Sequence, residues 1–281
     1  MVARQSHRPV RSRGADRIFD VAVTCICWTY FTLGFLLFFS PFYLAAALFS
    51  PRPEYRFQRL NRAFYKGFFA LLKWIAPRQQ WVFDKDIAEI RSAVIVCNHL
   101  SYLDPLLLIS LLDRAKTIVK PAFFTIPIFG WVLRTAGYFP AAATGRFAGL
   151  MLEQMENMGD YLAEGGNLFI FPEGTRSRDG SVGTLNQGAL KIARYCRAPV
   201  YVLCLRNTDR LFTPGKFFFR TRERNLISVR LADRLTPDHP QVSLADLHAR
   251  IRQGLERCME EPGGVARSGR PVAELLAETE R

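Results

Sequence analysis

The stretch that decides the fold is Asn98-His99-Leu100-Ser101-Tyr102-Leu103-Asp104-Pro105, which lies between two apolar runs. The run before it, residues 93–97, is rich in branched side chains and predicts a buried strand, and Ser101 with Pro105 marks a turn that opens a helix. His99 is therefore expected at a strand-to-helix corner. In open α/β sheets such corners, at the carboxyl ends of strands, expose reacting groups to ligands.

The corner carries a candidate base and its partner. Histidine takes up a proton near neutral pH, and a carboxylate bonded to its far nitrogen fixes the tautomer and stabilises the imidazolium. Asp104, five residues after His99, is placed to fold back across the turn and do this. A purely structural hydrogen bond is the alternative interpretation. Because no Gly-x-Ser-x-Gly sequence accompanies the pair, a serine nucleophile is not expected.

A second corner follows the apolar run 167–171, which predicts another buried strand. Residues 172–178, Pro-Glu-Gly-Thr-Arg-Ser-Arg, place a carboxylate, two guanidinium groups and hydroxyls there, and Gly174 permits a sharp turn. Guanidinium groups bind phosphate through two parallel hydrogen bonds, so this loop is a candidate anion site. A charged turn in solvent is the alternative.

In combination, the Asn-His-x4-Asp box and the later Phe-Pro-Glu-Gly-Thr-Arg-Ser sequence resemble the glycerolipid acyltransferase family, whose best-known members acylate lysophosphatidic acid. Residues 120–131 resemble the opening half of the family's second motif, and residues 198–203 resemble its fourth. The resemblance covers residues 81–231 and implies a glycerol-3-phosphate acyltransferase-like fold with His99 and Asp104 as the catalytic pair. It also implies a set of substrate-binding residues: Glu173, Gly174, Thr175 and Arg176, with Lys120 and Arg178 as weaker candidates.

Two departures from the family pattern matter. The second motif usually closes with an Asp-Arg pair, whereas residues 138–146 contain no Asp and carry a displaced Arg146. Val202 stands where the fourth motif usually has a second proline. The first departure leaves the acceptor headgroup open, so a lysolipid other than lysophosphatidic acid, such as a lyso-aminolipid, is an alternative acceptor.

The composition favours a protein held at an anionic membrane surface, since the net charge is +13 and 49% of the residues are hydrophobic. Residues 1–17 form a basic tail, and the uncharged run over 21–50 predicts a membrane segment over 18–50. The segment either spans once with tilt or bends near Pro41 and returns as a re-entrant hairpin. A cleaved signal peptide is disfavoured because the run is too long and no small-residue cleavage site follows it.

Residues 51–72 repeat Arg and Lys at helical spacing with aromatic residues between them, which predicts an amphipathic helix lying on anionic lipid headgroups. A core helix with a solvated basic face is the alternative. Basic residues flank both ends of the apolar run, which favours the hairpin and places the catalytic domain on the cytoplasmic side of the inner membrane. The basic clusters border apolar segments and no reader motif appears, so nucleic acid is not an expected partner.

The remaining pattern predicts an α/β fold, a largely parallel mixed sheet flanked by helices, with the acyltransferase domain over 73–261 and a flexible tail over 262–281. Predicted strands are 80–83, 93–97, 115–119, 167–171, 199–205, 217–219 and 226–231. Predicted helices are 105–112, 127–135, 147–164, 186–195 and 244–259. The six cysteines are scattered without zinc spacing, so we expect reduced packing residues and no metal.

These patterns lead to one functional hypothesis, acyl transfer from acyl-CoA or acyl carrier protein to a hydroxyl of a lysolipid. The first candidate reaction converts 1-acyl-sn-glycerol 3-phosphate to phosphatidic acid in phospholipid biosynthesis. Apart from the thioester co-substrate, no cofactor is expected. Two rivals stay open: a thioester or lipid hydrolase, and a non-catalytic membrane protein that binds anionic lipid.

Overall fold

The computed structural model describes residues 14–141, 144–177, 181–186, 188–236 and 243–260. It contains a seven-stranded sheet with the strand order β1-β7-β6-β2-β5-β3-β4. The strands are β1 (Gln79–Phe83), β2 (Ala93–Cys97), β3 (Ala115–Val119), β4 (Phe139–Pro140), β5 (Asn167–Ile170), β6 (Val200–Arg206) and β7 (Asn225–Leu235). The α-helices are α1 (Gly14–Thr29), α2 (Ser40–Phe49), α3 (Pro53–Ile75), α4 (Leu103–Leu111), α5 (Phe129–Thr135), α6 (Ala148–Glu156), α7 (Met158–Ala163), α8 (Gly188–Tyr195), α9 (Thr208–Leu211) and α10 (Leu244–Glu260).

The sheet is parallel at every pairing except that of β6 with β7. β2 lies at the centre, where Val94 is in register with Val200 of β6 and with Leu168 of β5. The predicted largely parallel mixed sheet is confirmed. Because β2, β3, β5 and β6 run in the same direction, their carboxyl ends meet at one edge, which we call the carboxyl edge.

β2 is buried on both sides, which explains why its sequence is apolar without alternation. Ile95 and Cys97 belong to a core shared with α3 and α4, whereas Val94 and Val96 belong to a second core shared with α8 and α10. This alternation is the period of two of a strand, and it places helices on both faces of the sheet.

Apart from small shifts at their ends, two predicted elements differ from the observed ones. Residues 217–219 form a bend instead of a strand, with Phe217 and Phe218 exposed and Phe219 buried. The predicted helix over 147–164 is interrupted at Asn157 into α6 and α7. The short strand β4, which pairs with β3, was not predicted from the sequence.

The apolar run forms a long helix. Within the described residues, Arg17–Phe49 is the one helix long and apolar enough to cross a membrane. Only 17% of an apolar 18-residue stretch of this helix is buried. It comprises α1, a π-helical stretch (Tyr30–Phe39) and α2, and Pro41 lies in the first turn of α2. The helix continues through Pro41 without reversing, so the predicted bend there is wrong. The structure has the other alternative, one continuous helix.

The chain reverses after Phe49, and α3 runs back along this apolar helix. The ring of Tyr43 lies 5.0 Å from that of Phe57, and the ring of Phe31 lies 4.6 Å from that of Phe68. The pairs approach each other in opposite sequence order, so the two helices are antiparallel. Aromatic packing of this kind holds the apolar helix against the domain.

The predicted interfacial helix 51–72 corresponds to α3. Its residues Phe57, Phe68 and Leu72 are completely buried in the core, while Arg56 and Arg59 are exposed. The apolar side of this helix is covered by the apolar helix and the sheet domain, as in the alternative of a core helix with a solvated basic face. The exposed basic side remains the part predicted to meet anionic headgroups.

The predicted domain boundary at residue 73 falls inside the last turn of α3, whose apolar side is part of the core. Residues 1–13 of the predicted basic tail and the predicted tail 262–281 lie outside the described residues.

Candidate active site

His99 lies just after β2 at the carboxyl edge and contacts Asp104 of α4. The distance between His99 Nδ1 and Asp104 Oδ2 is 2.9 Å. The Asp104 side chain is fully buried, and that of His99 is 17% exposed. Since an ionised carboxylate only accepts hydrogen bonds, Nδ1 of His99 carries the proton. Nε2 is then free to accept one from a ligand.

Asp104 is held by three further donors. Its Oδ2 accepts hydrogen bonds from the backbone N–H groups of Leu100 at 2.6 Å and Ser101 at 2.7 Å. Its Oδ1 accepts one from the hydroxyl of Thr208 at 2.5 Å. Asp104 also lies in the first turn of α4, where the helix dipole favours a negative charge. The buried carboxylate is therefore well stabilised and fixed in orientation.

The turn formed by residues 172–177 follows β5 and lies against the His99 corner. The N–H of His99 donates to Glu173 Oε1 at 3.2 Å, and the N–H of Ser177 donates to the His99 carbonyl at 2.7 Å. The N–H of Gly183 donates to Glu173 Oε2 at 3.1 Å. The two corners singled out in the sequence thus meet, because β2 and β5 are parallel neighbours.

Glu173 is engaged by the protein at both carboxylate oxygens. Burial raises the pKa of this carboxyl group, while the N–H groups of Gly183 and His99 oppose the rise. The side chain therefore connects the His99 corner to the segment around Gly183. Its oxygens are already used by the backbone and are less available to a ligand than the sequence suggested.

Arg176 presents a guanidinium group next to the same corner. Its central carbon lies 3.6 Å from the centroid of the Tyr102 ring, a cation–π contact that orients the group. Its Nη1 atom is buried and has no hydrogen-bond partner among the residues that the structure describes. A buried donor without a partner is costly, so this nitrogen is suited to an incoming anion.

Gly174 and Thr175, in the middle of the turn, are open to solvent. Gly174 has a φ of +65°, a conformation that favours glycine, and the space around its missing side chain is empty. Thr175 is exposed. Both leave room for a ligand to approach the backbone of the turn.

The imidazole of His99 stacks on the ring of Phe171, with the centroids 4.1 Å apart and the planes at 21°.

Two polar neighbours shape the corner instead of facing a ligand. The Ser101 hydroxyl donates to the Phe212 carbonyl at 2.7 Å, and the Asn98 amide exchanges hydrogen bonds with the backbone of Leu205.

Lys120 lies exposed at the carboxyl end of β3, beside β5 on the same edge. Among the described residues it is not one of the groups that bond to the His99–Asp104 pair. The displaced Arg146 is exposed and lies over the ring of Phe147. Arg178 falls outside the described residues.

Sequence reasoning did not identify Thr208, Phe171 and Tyr102 as parts of the site. Thr208 lies just past the end of β6, the strand beside β2. The sequence signal that could have found Thr208 is a polar residue just after a strand that adjoins β2. Its use requires the strand order, which a single sequence does not give.

Residues 81–206 match the family model described as acyltransferase. The chain contains an acyltransferase domain of this family. The resemblance found in the motifs is thereby confirmed, and the matched range includes His99, Asp104 and the 172–177 turn.

Relatives of this domain share a common name. A Brassica napus protein named chloroplastic 1-acyl-sn-glycerol-3-phosphate acyltransferase is 34% identical over 122 residues, which are 43% of this chain and 35% of that protein. A Pseudomonas aeruginosa protein named 1-acyl-sn-glycerol-3-phosphate acyltransferase is 31% identical over 111 residues, 39% of this chain and 42% of that one. The chain thus spans less than half the length of these two relatives.

The fold also matches a solved structure. The crystal structure of the 1-acyl-sn-glycerophosphate acyltransferase PlsC from Thermotoga maritima superposes with a TM-score of 0.69. The match covers 87% of this chain and 96% of that one, at 21% sequence identity. At this identity the likeness establishes the fold.

Proposed function

We propose that this protein transfers a fatty acyl group from a thioester to the hydroxyl of a lysolipid, with 1-acyl-sn-glycerol 3-phosphate as the first candidate acceptor. The observation that carries the proposal is the meeting of two groups at one edge. A histidine held by a buried carboxylate lies beside an arginine with a buried nitrogen that no described residue bonds. The first suits removal of a hydroxyl proton, and the second suits binding of a phosphate.

His99 acts as general base in this reaction. Its Nε2 accepts the proton of the acceptor hydroxyl while the oxygen attacks the thioester carbonyl carbon. Asp104 balances the charge that develops on the ring. The tetrahedral intermediate then expels the thiolate, which receives the proton from His99, and the new oxygen ester remains. A thiol is a good leaving group, so the reaction needs no acyl-enzyme.

Arg176 binds the acceptor's phosphate, with Tyr102 holding the guanidinium plane in position. Gly174 and Thr175 lie exposed on the same turn and allow the headgroup to approach the backbone. Lys120, on the neighbouring strand end, adds positive charge to this edge. These contacts would fix the acceptor hydroxyl near His99 Nε2, which is the main advantage of an oriented reaction.

Glu173 serves as a positioning residue. Its two oxygens hold the backbone of His99 and of Gly183, so it sets the position of the base relative to the 172–177 turn. The sequence suggested that Glu173 contacts the acceptor directly. The bonds to the backbone favour an indirect role.

The acyl donor is a thioester of coenzyme A or of acyl carrier protein, and the chemistry described requires no other cofactor. The acceptor resides in a bilayer, and the apolar helix Arg17–Phe49 is suited to hold the chain there. On the domain side of this helix the chain continues with Arg52, Arg56 and Arg59, and basic residues at that end favour the cytoplasmic side of the inner membrane for the domain.

The test is product analysis with membranes that contain the full chain. Both donor types, with an isotopically labelled acyl group, are combined with a panel of lysolipids that includes lyso-aminolipids, and products are identified by mass. We expect the label in a diacyl lipid, with 1-acyl-sn-glycerol 3-phosphate preferred, and its absence from membranes carrying His99→Ala. A different preferred lysolipid would correct the acceptor. Labelled free fatty acid regardless of lysolipid would show a hydrolase.

A further inference from the structure

The turn between α9 and β7 carries an exposed aromatic tip, which we define as Lys216, Phe217 and Phe218. Phe217 is 60% exposed and Phe218 49% exposed. Lys216 and Arg220 beside them are also exposed. Two adjacent phenylalanines in solvent, flanked by positive charge, are typical of a surface that binds a partner.

The tip stands on a rigid base. Phe219, the next residue, is buried and stacks on Phe212 with the ring centroids 4.6 Å apart. Its N–H donates to the Thr24 hydroxyl at 3.0 Å. The N–H and hydroxyl of Thr221 both donate to Asp20 Oδ1, at 2.8 and 2.6 Å. The exposure of the tip is therefore built into the packing and does not come from a loose loop.

The tip is continuous with the apolar helix. The rings of Trp28 and Phe217 stack with centroids 5.4 Å apart and planes at 10°. Trp28 itself is 39% exposed, and the outward residues Leu33, Leu37 and Phe38 of the same helix are also exposed. The helix and the tip thus form one apolar surface.

The same turn reaches the catalytic corner through its base. The carbonyl of Phe212 accepts a hydrogen bond from the hydroxyl of Ser101, and the ring centroids of Tyr102 and Phe212 lie 6.3 Å apart. Two packed residues, Phe219 and Phe212, therefore separate the tip from the His99 corner. A partner bound at the tip would lie close to that corner.

We propose that Phe217 and Phe218 insert into the headgroup region of an anionic bilayer, while Lys216 and Arg220 contact lipid phosphates. Aromatic rings favour this depth of the membrane, and basic residues are attracted to anionic lipid. The apolar helix anchors the chain, and the tip turns the carboxyl edge toward the bilayer so that the acceptor reaches His99 from the membrane. This inference extends the proposed function and rests on it for the role of the tip in turnover.

Insertion is tested by fluorescence, which needs no turnover. The exposed Cys25 and the partly exposed Cys196 are replaced by Ser, because the other four cysteines are buried. An environment-sensitive dye is attached to a Phe217→Cys variant of the full chain, reconstituted in phosphatidylcholine vesicles with phosphatidylglycerol. The matched control is Tyr195→Cys. Tyr195 is 75% exposed, and its helix α8 packs on the opposite face of the sheet.

We expect a blue shift of the emission and quenching by spin-labelled lipid for Phe217→Cys, and neither for Tyr195→Cys. Both effects should weaken in vesicles of phosphatidylcholine alone. Emission typical of water and no quenching at Phe217→Cys would overturn the proposal. Equal insertion in neutral and anionic vesicles would overturn the choice of an anionic surface.

The effect on turnover is tested with the double variant Phe217→Ser/Phe218→Ser, with Tyr195→Ser as control. We expect kcat/KM for bilayer-embedded lysolipid to fall about tenfold, a modest change in activation free energy. Turnover of the same lysolipid as detergent-dispersed monomers should be unchanged. Wild-type kinetics on bilayers, or the same loss on both substrate forms, would contradict a role for the tip in membrane seating.

Discussion

The two halves of the active site differ in how completely the protein satisfies their polar groups. Asp104 receives hydrogen bonds from His99, Leu100, Ser101 and Thr208. Arg176, by contrast, has a buried nitrogen without a partner among the described residues. The proposed catalytic pair therefore has its hydrogen bonds before a substrate binds, whereas the proposed recognition half offers a donor to an incoming anion. Changes to the first half should lower kcat, and changes to the second should raise the KM of the acceptor.

Among the residues around His99, the largest effect is expected from Asp104→Asn. The amide removes the negative charge that stabilises the protonated His99, so kcat should fall by about 10³-fold, within the range that general acid–base catalysis contributes. Steady-state assays with saturating donor and acceptor measure this. Asp113→Asn, which removes a partly exposed partner of Arg62, is the matched control and should keep wild-type turnover. A kcat within tenfold of wild type for Asp104→Asn would contradict the assigned pair.

Arg176→Ala should raise the acceptor KM by about 100-fold, the value of a charge-assisted hydrogen bond to phosphate. Because this bond forms in the ground state and the transition state alike, kcat should change little. Arg176→Lys should restore part of the affinity, since lysine keeps the charge but loses the planar fork. A change confined to the donor KM would instead place the 172–177 turn at the thioester.

Thr208→Val should lower kcat by about tenfold, because it removes one hydrogen bond to a buried carboxylate. Thr208 is completely buried and does not face the ligand, so both KM values should stay unchanged. Thr208→Ser keeps the hydroxyl and should restore turnover. If Thr208→Ser were as impaired as Thr208→Val, the residue would act through packing and not by positioning Asp104.

The smallest effect concerns Glu173. Burial raises the pKa of this carboxyl group above its unfolded value. Its contribution to stability is then fully present below the unfolded pKa and is lost as the pH rises through the folded pKa. The wild type should accordingly lose less than about 1 kcal/mol relative to Glu173→Gln over that range, since the group is partly exposed. Thermal unfolding of both proteins across acid and neutral pH measures the difference, and an opposite slope would contradict it.

The sequence was sufficient for features set by neighbouring residues. β2 and β3 have the predicted bounds of residues 93–97 and 115–119. The His99 corner and the 172–177 turn were found because each follows a strand whose apolar pattern is unambiguous. Their meeting followed from the general rule that parallel strands end at one edge.

Features that depend on distant packing could not be predicted. Thr208 lies 104 residues from Asp104, so no local pattern indicates their hydrogen bond. Residues 217–219 have the composition of a strand, yet only Phe219 is buried in the core. The apolar side of α3 could have met lipid or protein, because both select the same amphipathic pattern.

The central claim is that His99 removes the proton of the acceptor hydroxyl, and His99→Ala tests it most directly. Acyl transfer to 1-acyl-sn-glycerol 3-phosphate is measured with the full chain in vesicles, and folding and membrane attachment are checked on the same samples. We predict a fall in kcat of at least about 10³-fold, within the range for a lost general base, with the protein folded and membrane-bound. Turnover retained in a folded His99→Ala protein would contradict the mechanism.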